Sequence, residues 1–129
     1  MESQHDPRGD RPDGGTVEVA HASPHLAVVT LEGEHDISTS ESLERAIEEA
    51  AANSNVLVDL SPCTFIDSTV ITVLIRTAET VRAGGEHLVL VIPPTQRALA
   101  RAAEMTGLGQ LVPLYETRDA ALAAFPQPG

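Results

Sequence analysis

Hydrophobic positions along this chain follow two rhythms, a period of two and a period of three to four, and the two alternate from end to end. Residues 17–20 (VEVA) alternate briefly and predict a short edge strand. Residues 25–32 (HLAVVTLE) form a β-branched run that stops at Gly33 and predict a full strand. Ser38, with Glu41 three residues later, has the form of a capping box, and Leu43, Ala46, Ile47 and Ala50 then recur on one helix face. After a break at residues 53–55, the run 56–60 (VLVDL) predicts a buried strand, ended by Ser61 and Pro62.

The stretch 65–75 pulls two ways. Its Val, Ile and Thr content favours strand. Val70, Leu74, Ala78 and Val81 nevertheless share one helical stripe, Asp67 suits an N-cap, and Gly84-Gly85 suits a stop. A buried helix over 68–83 is therefore predicted. Residues 86–92 contain LVLVI, a second buried strand. Pro93-Pro94-Thr95 turns the chain, with Thr95 as the expected cap of a short helix through Ala98, Leu99, Ala102 and Met105, ended by Gly107. Residues 111–114 predict a short strand, and Thr117 caps a last helix through Ala121, Leu122 and Phe125. Strands that alternate with helices, with inner strands continuously apolar, predict one α/β domain over 16–125: a mainly parallel sheet of four to five strands with about four helices. Residues 1–15, rich in Pro, Gly and charge, read as a flexible, disordered arm, and 126–129 as a loose tail.

Composition narrows what such a domain does. Aromatic residues are 2% of the 129, so the core must be aliphatic. The formal charge is −11, which disfavours nucleic acid and anionic membranes as partners and favours a basic protein surface. All basic residues are Arg; with no Lys there is no Walker A lysine, Schiff-base lysine or kinase lysine, and no late lysine for an acyl-phosphate receiver built on Asp59. Cys63 stands alone, so no intrachain disulfide forms and a zinc site lacks its usual ligands. The histidines, His35 among them, are expected on solvated loops. No G-x-S-x-G occurs, and no apolar run approaches a secretory h-region or the ~20 residues of a spanning helix. The expectation is a cytoplasmic protein, not an enzyme, with no metal and no cofactor.

One place has the makings of a site. Phe65-Ile66-Asp67-Ser68-Thr69 lies between a buried strand and a helix start, with two hydroxyls on the first turn. The first amides of a helix lack intrahelical partners and its N-terminus is partly positive. A phosphate on that turn would be held by its own protein and would add about −1.5 to −2 charges. The same residues also make an ordinary capping turn, and chemistry alone leaves both readings open.

Residues 56–61 (VLVDLS) followed by 64–69 (TFIDST) resemble the signature of STAS domains, the modules shared by anti-sigma factor antagonists and sulfate transporter tails. Leu31-Glu32-Gly33-Glu34-His35-Asp36 resembles the family's Leu-x-Gly-Glu-Leu-Asp, Gly84-Gly85 with residues 88–92 its Gly-Gly and following strand, and Leu99 with Met105-Thr106-Gly107-Leu108 its helix end. The final helix from Thr117 fits as well. The family pattern after Asp-Ser is Ser-Gly-Leu-Gly; here Thr69-Val70-Ile71-Thr72 stands in its place, without either glycine. The resemblance implies a STAS-like sandwich and an anti-sigma factor antagonist. It implies that Ser68 is the phosphorylated serine, with Thr69 as the fallback acceptor. It further implies that Glu34, Asp36, Asp67, Ser68, Thr69 and Val70 face the partner, that this partner is an anti-sigma factor and serine kinase, and that a PP2C-type phosphatase reverses the mark. Two other functions stay open: an unphosphorylated STAS scaffold that pairs with similar chains, and a small-ligand or nucleotide-binding domain.

Overall fold

The computed structural model describes residues 15–125; the remainder of the expected arm, 1–14, and the expected tail, 126–129, lie outside the described residues. The sheet is organised around β2 (Leu26–His35), ten residues long. β1 (Thr16–Ser23) lies antiparallel along it, with Thr16 opposite Glu32 and Val19 opposite Val29. β3 (Asn55–Asp59) runs parallel to the first half of β2, and β4 (Cys63–Ile66) parallel to its last three residues. β2 changes partner at Gly33, where the ladder shifts register and the backbone takes φ 83, a left-handed conformation that glycine adopts without Cβ strain. β5 (Leu88–Val91) and β6 (Leu114–Tyr115) extend the sheet in parallel, in the order β1-β2-β3-β5-β6, with β4 paired to β2 off this path.

The helices are α1 (Ile37–Ala50), α2 (Ser68–Ala83), α3 (Arg97–Thr106), the single turn α4 (Leu108–Leu111) and α5 (Arg118–Ala124). This is the expected α/β domain with a mostly parallel sheet; the described residues form six strands and five helices, against the four to five strands and about four helices expected. Alternation along the strands divides the core. Ala27, Val29, Leu31, Val56, Val58, Leu88 and Leu90 face Leu43 and Ile47 of α1, Leu74 of α2 and Leu99 of α3. Val28, Leu57, Val89 and Val91 face Ala121 and Phe125 at α5. A strand covered on both faces has no polar side to show, which is why its sequence reads as continuously apolar.

Local expectations needed correction in several places. The cap of α1 is Asp36, not Ser38: Asp36 Oδ1 accepts from the Ser38 amide at 2.9 Å, and Thr39 Oγ1 accepts from the Asp36 amide at 3.3 Å, so the reciprocal pair forms two residues earlier than Ser38 and Glu41 suggest. Gln96 rather than Thr95 occupies the N-cap of α3; its side chain does not cap the helix but donates from Nε2 to the Ser61 carbonyl at 2.5 Å. Leu111 ends α4 instead of opening a strand, and β6 is only Leu114–Tyr115. β1 is eight residues long where four were expected. Gly15, assigned by sequence to the arm, is buried, and a Cβ there would collide with the Glu34 carbonyl and the His35 ring.

Candidate functional site

β2 and β4 end side by side, with Glu34 opposite Phe65 and His35 opposite Ile66. Each strand passes directly into an aspartate that caps a helix: Asp36 for α1 and Asp67 for α2. Asp36 and Asp67 each follow the last paired residue of their strand, so both stand at the same end of the sheet. Two carboxylates and two helix N-termini therefore share one end of the sheet, and the partial positive charge of each helix end offsets the negative charge placed on it. A bidentate pair from Arg76 of α2 to Glu44 of α1, at 2.9 and 3.1 Å, spans the two helices further along.

Asp67 Oδ1 accepts from the Val70 amide at 3.0 Å, and its carbonyl from the Ile71 amide at 3.1 Å. Ser68 is the first residue of α2 and is exposed. Its hydroxyl makes no hydrogen bond among the described residues, and the amides of Ser68 and Thr69 likewise have no partner there. Thr69 is half-buried, so the second hydroxyl of the turn is the less accessible.

The two positions where the family glycines are missing behave differently. Val70, expected to face the partner, has its side chain fully buried among the core residues and off the surface of the turn. Thr72 is exposed, and its hydroxyl donates to the Ser68 carbonyl at 3.0 Å. The extra bulk on the surface of the turn thus comes from Thr72 alone. Two large apolar side chains flank the aspartates in the open, Ile37 at 71% and Phe65 at 46% exposure. Phe65 was named from sequence only as the start of the Phe65–Thr69 stretch, and Ile37 was not singled out, although it stands directly after the capping aspartate and outside the apolar face of α1.

His35 was also missed as a structural centre. It was expected on a solvated loop and is fully buried. Nε2 lies 3.2 Å from the carbonyls of both Thr16 and Glu32, and Nδ1 lies 3.0 Å from Thr39 Oγ1. Two carbonyls can only accept, so the network assigns the ring proton to Nε2 and leaves Nδ1 facing the Thr39 hydroxyl, whose single proton also has the Asp36 carbonyl at 3.2 Å as an acceptor. Burial lowers its pKa, against the opposing pull of the Glu32 and Thr16 carbonyls and of Asp36. The ring ties the start of β1, the end of β2 and the first turn of α1 directly beneath Asp36.

Asp59, which ends β3, is fully engaged. Oδ1 accepts from the Ser61 hydroxyl at 2.6 Å and amide at 2.9 Å, and Oδ2 from Arg118 at 2.7 and 3.0 Å. Burial alone would raise its pKa, but the Ser61 hydroxyl and amide and the Arg118 guanidinium outweigh it and hold the carboxyl below its ordinary value. Cys63 is buried, which pushes its thiol up to about 11, and Sγ donates to the Phe65 carbonyl at 3.4 Å; it is a structural thiol. Among the described residues, no group of three His, Cys, Asp or Glu is placed to hold a metal ion, and no helix is long and apolar enough to cross a membrane.

A family model for the STAS domain matches residues 18–121. Among solved structures, an anti-sigma factor antagonist from Mycobacterium paratuberculosis is 33% identical over 88% of this chain and 96% of its own, with a TM-score of 0.77. The Bacillus cell fate determinant SpoIIAA in its phosphorylated form is 20% identical over 84% of this chain and 97% of its own, with a TM-score of 0.63. A STAS-domain protein from Planctomyces limnophilus is 20% identical over 84% and 96%, with a TM-score of 0.69. The last two likenesses are of fold. No curated protein sequence matches the chain.

Proposed function

Because the chain belongs to the STAS domain family, we propose that it is an anti-sigma factor antagonist that binds an anti-sigma factor and is switched by phosphorylation at Ser68. The partner is itself the serine kinase, a PP2C-type phosphatase restores the unmodified form, and the exchange takes place in the cytoplasm. The chain is the substrate and binding module in this cycle, with no catalysis of its own. The observation that carries the reading is the exposed Ser68 hydroxyl at the start of α2, with open amides around it, Asp67 directly before it and the Asp36-capped start of α1 at the same end of the sheet.

The chemistry follows from that placement. The amides of the first turn can hold a phosphate, so modification leaves the fold nearly unchanged. The new charge beside two carboxylates adds like-charge repulsion and a desolvation cost against a partner surface fitted to a neutral hydroxyl. A loss of ~1–3 kcal/mol weakens the complex several-fold to over a hundredfold, enough for release. Glu34, Asp36, Asp67, Ser68 and Thr69 supply the polar part of the contact, and Thr69 is the fallback acceptor.

The test is affinity for the cognate anti-sigma factor with unmodified, Ser68→Ala and Ser68→Asp proteins. Ser68→Ala should bind constitutively and Ser68→Asp should bind more weakly than the unmodified chain. Equal affinities for all three would remove the switch. One observation favours a second reading, a STAS module that pairs without being phosphorylated: Thr72 stands on the surface beside Ser68, where the family pattern has glycine. The intact mass of the protein from its own cells separates the two, since a phosphate adds a fixed mass and its absence under every growth condition supports the second.

A further inference from the structure

A cavity of about 360 Å³ opens at the edge of the sheet where β6 falls short of β5. β6 pairs with Leu90 and Val91, so the preceding residues, Leu88 and Val89, have no strand beside them on that side and form one wall of the cavity. Phe125, at the end of α5, and Leu111, half exposed on α4, supply the other apolar walls. Arg82 in the last turn of α2 and His87 just ahead of β5 line the same space, and among the described residues no acidic side chain does. The backbone of His87 is fixed, its amide donating to Asn55 Oδ1 at 2.8 Å and its carbonyl accepting from the Val56 amide at 2.8 Å, while its ring makes no hydrogen bond among the described residues. Arg82 forms no ion pair among them either, a condition it shares with Arg45, Arg97 and Arg101, while Arg76 and Arg118 are paired.

We propose that this cavity binds a small amphipathic carboxylate, with its apolar tail against Leu88, Val89, Leu111 and Phe125 and its carboxylate on Arg82 and His87. The volume falls in the range of ligand sites, roughly 300–1,000 Å³, and the lining has their usual character, apolar walls with few polar groups. Of the unpaired arginines Arg82 is the one that lines this cavity, and its planar fork matches a carboxylate in two-point contact. The walls favour a ligand whose remaining surface is apolar, because burying that surface drives binding. Arg82 is fourteen residues beyond Ser68 on α2, about 20 Å along the helix axis, so the ligand site and the Ser68 turn are separate and neither reading depends on the other.

Titration of the full chain with octanoate, followed by amide chemical shifts, tests the proposal, with octanol as the uncharged tail and acetate as the bare head group. Octanoate should give saturable shifts at Leu88, Val89 and Phe125 with a dissociation constant below roughly 1 mM, octanol should bind about tenfold more weakly, and acetate should not saturate. Arg82→Gln, on an exposed helical position, should weaken octanoate about tenfold and leave octanol unchanged. Ala124→Phe, which fills the cavity from the exposed side of α5, should abolish both. Absence of saturable shifts with octanoate, shifts confined to other surfaces, equal binding of octanol, or octanoate affinity indifferent to Arg82→Gln would each overturn it.

Discussion

A histidine that is sealed from solvent, with both ring nitrogens bonded, gives residue-scale chemistry a direct thermodynamic signature. Burial lowers the pKa of His35 in the folded chain, whereas the unfolded chain titrates near 6.5. Above that pH both states are neutral and the folded state has its full stability. As the pH falls from there toward the lower folded value, the unfolded chain takes up a proton that the folded chain resists, and stability declines; below the folded value it levels off. His35→Leu restores the family's residue and should flatten this slope, so the difference between urea midpoints measured at about pH 7.5 and about pH 5 should shrink relative to wild type. An unchanged difference would assign the acid sensitivity to other groups. Thr72 poses a second residue-scale question. Its side chain stands over the Ser68 carbonyl, so Thr72→Gly should raise kcat/KM for phosphorylation of Ser68 by the cognate kinase, with a cost to α2 of up to about 1 kcal/mol from the glycine. A rate no higher than wild type would mean that Thr72 does not obstruct the kinase.

At the scale of elements, α5 is held to the sheet by one small apolar cluster and one ion pair. Asp59 is nearly buried while Arg118 is half exposed, so the pair combines a desolvated carboxylate with a partly screened partner. Arg118→Gln removes the guanidinium and leaves Oδ2 short of its donors, which should cost about 1–3 kcal/mol. The loss should concentrate in α5, visible as faster amide exchange of its residues before the sheet is affected. Exchange that rises uniformly would show that the pair stabilises the whole domain and not the helix. The same carboxyl sets an acid limit: its folded pKa lies below the ordinary value, so its contribution is present above about 3.9 and is lost as the pH falls through the folded value. α2 is anchored by packing instead. Leu74 is fully buried beneath it, and Leu74→Ala should cost roughly 2–5 kcal/mol by urea denaturation, because an aliphatic core with few aromatics has little large surface elsewhere to compensate.

For the molecule as a whole, the formal charge of −11 acts on encounter more than on the final contact. Raising salt from about 0.1 M to about 1 M shortens the screening length from about 10 Å to about 3 Å, so association with a basic partner should slow at least tenfold while dissociation changes less. An association rate indifferent to salt would exclude electrostatic steering. Much of this architecture was legible in the chain. β3, β5 and α2 could be read directly, because strands covered on both faces are continuously apolar and a sixteen-residue helix repeats its stripe often enough to outvote β-branched propensity. Asp67 as a cap was readable because the long stripe of α2 settled the competing strand propensity of 65–75 and fixed where the helix opens. Asp36 was not, since two capping frames begin within three residues and only the packed end of β2 selects between them. β4 is four residues long and exists because the end of β2 is beside it, and β6 is shorter still; no window of sequence that small carries a period. Tertiary structure alone decided that His35 joins residues nineteen positions apart and that Asp59 meets Arg118 across fifty-nine. Periodicity reports which face of an element is apolar, a property of neighbours along the chain; which polar groups meet inside the fold depends on contacts between distant segments, and these form only once the sheet has set its register.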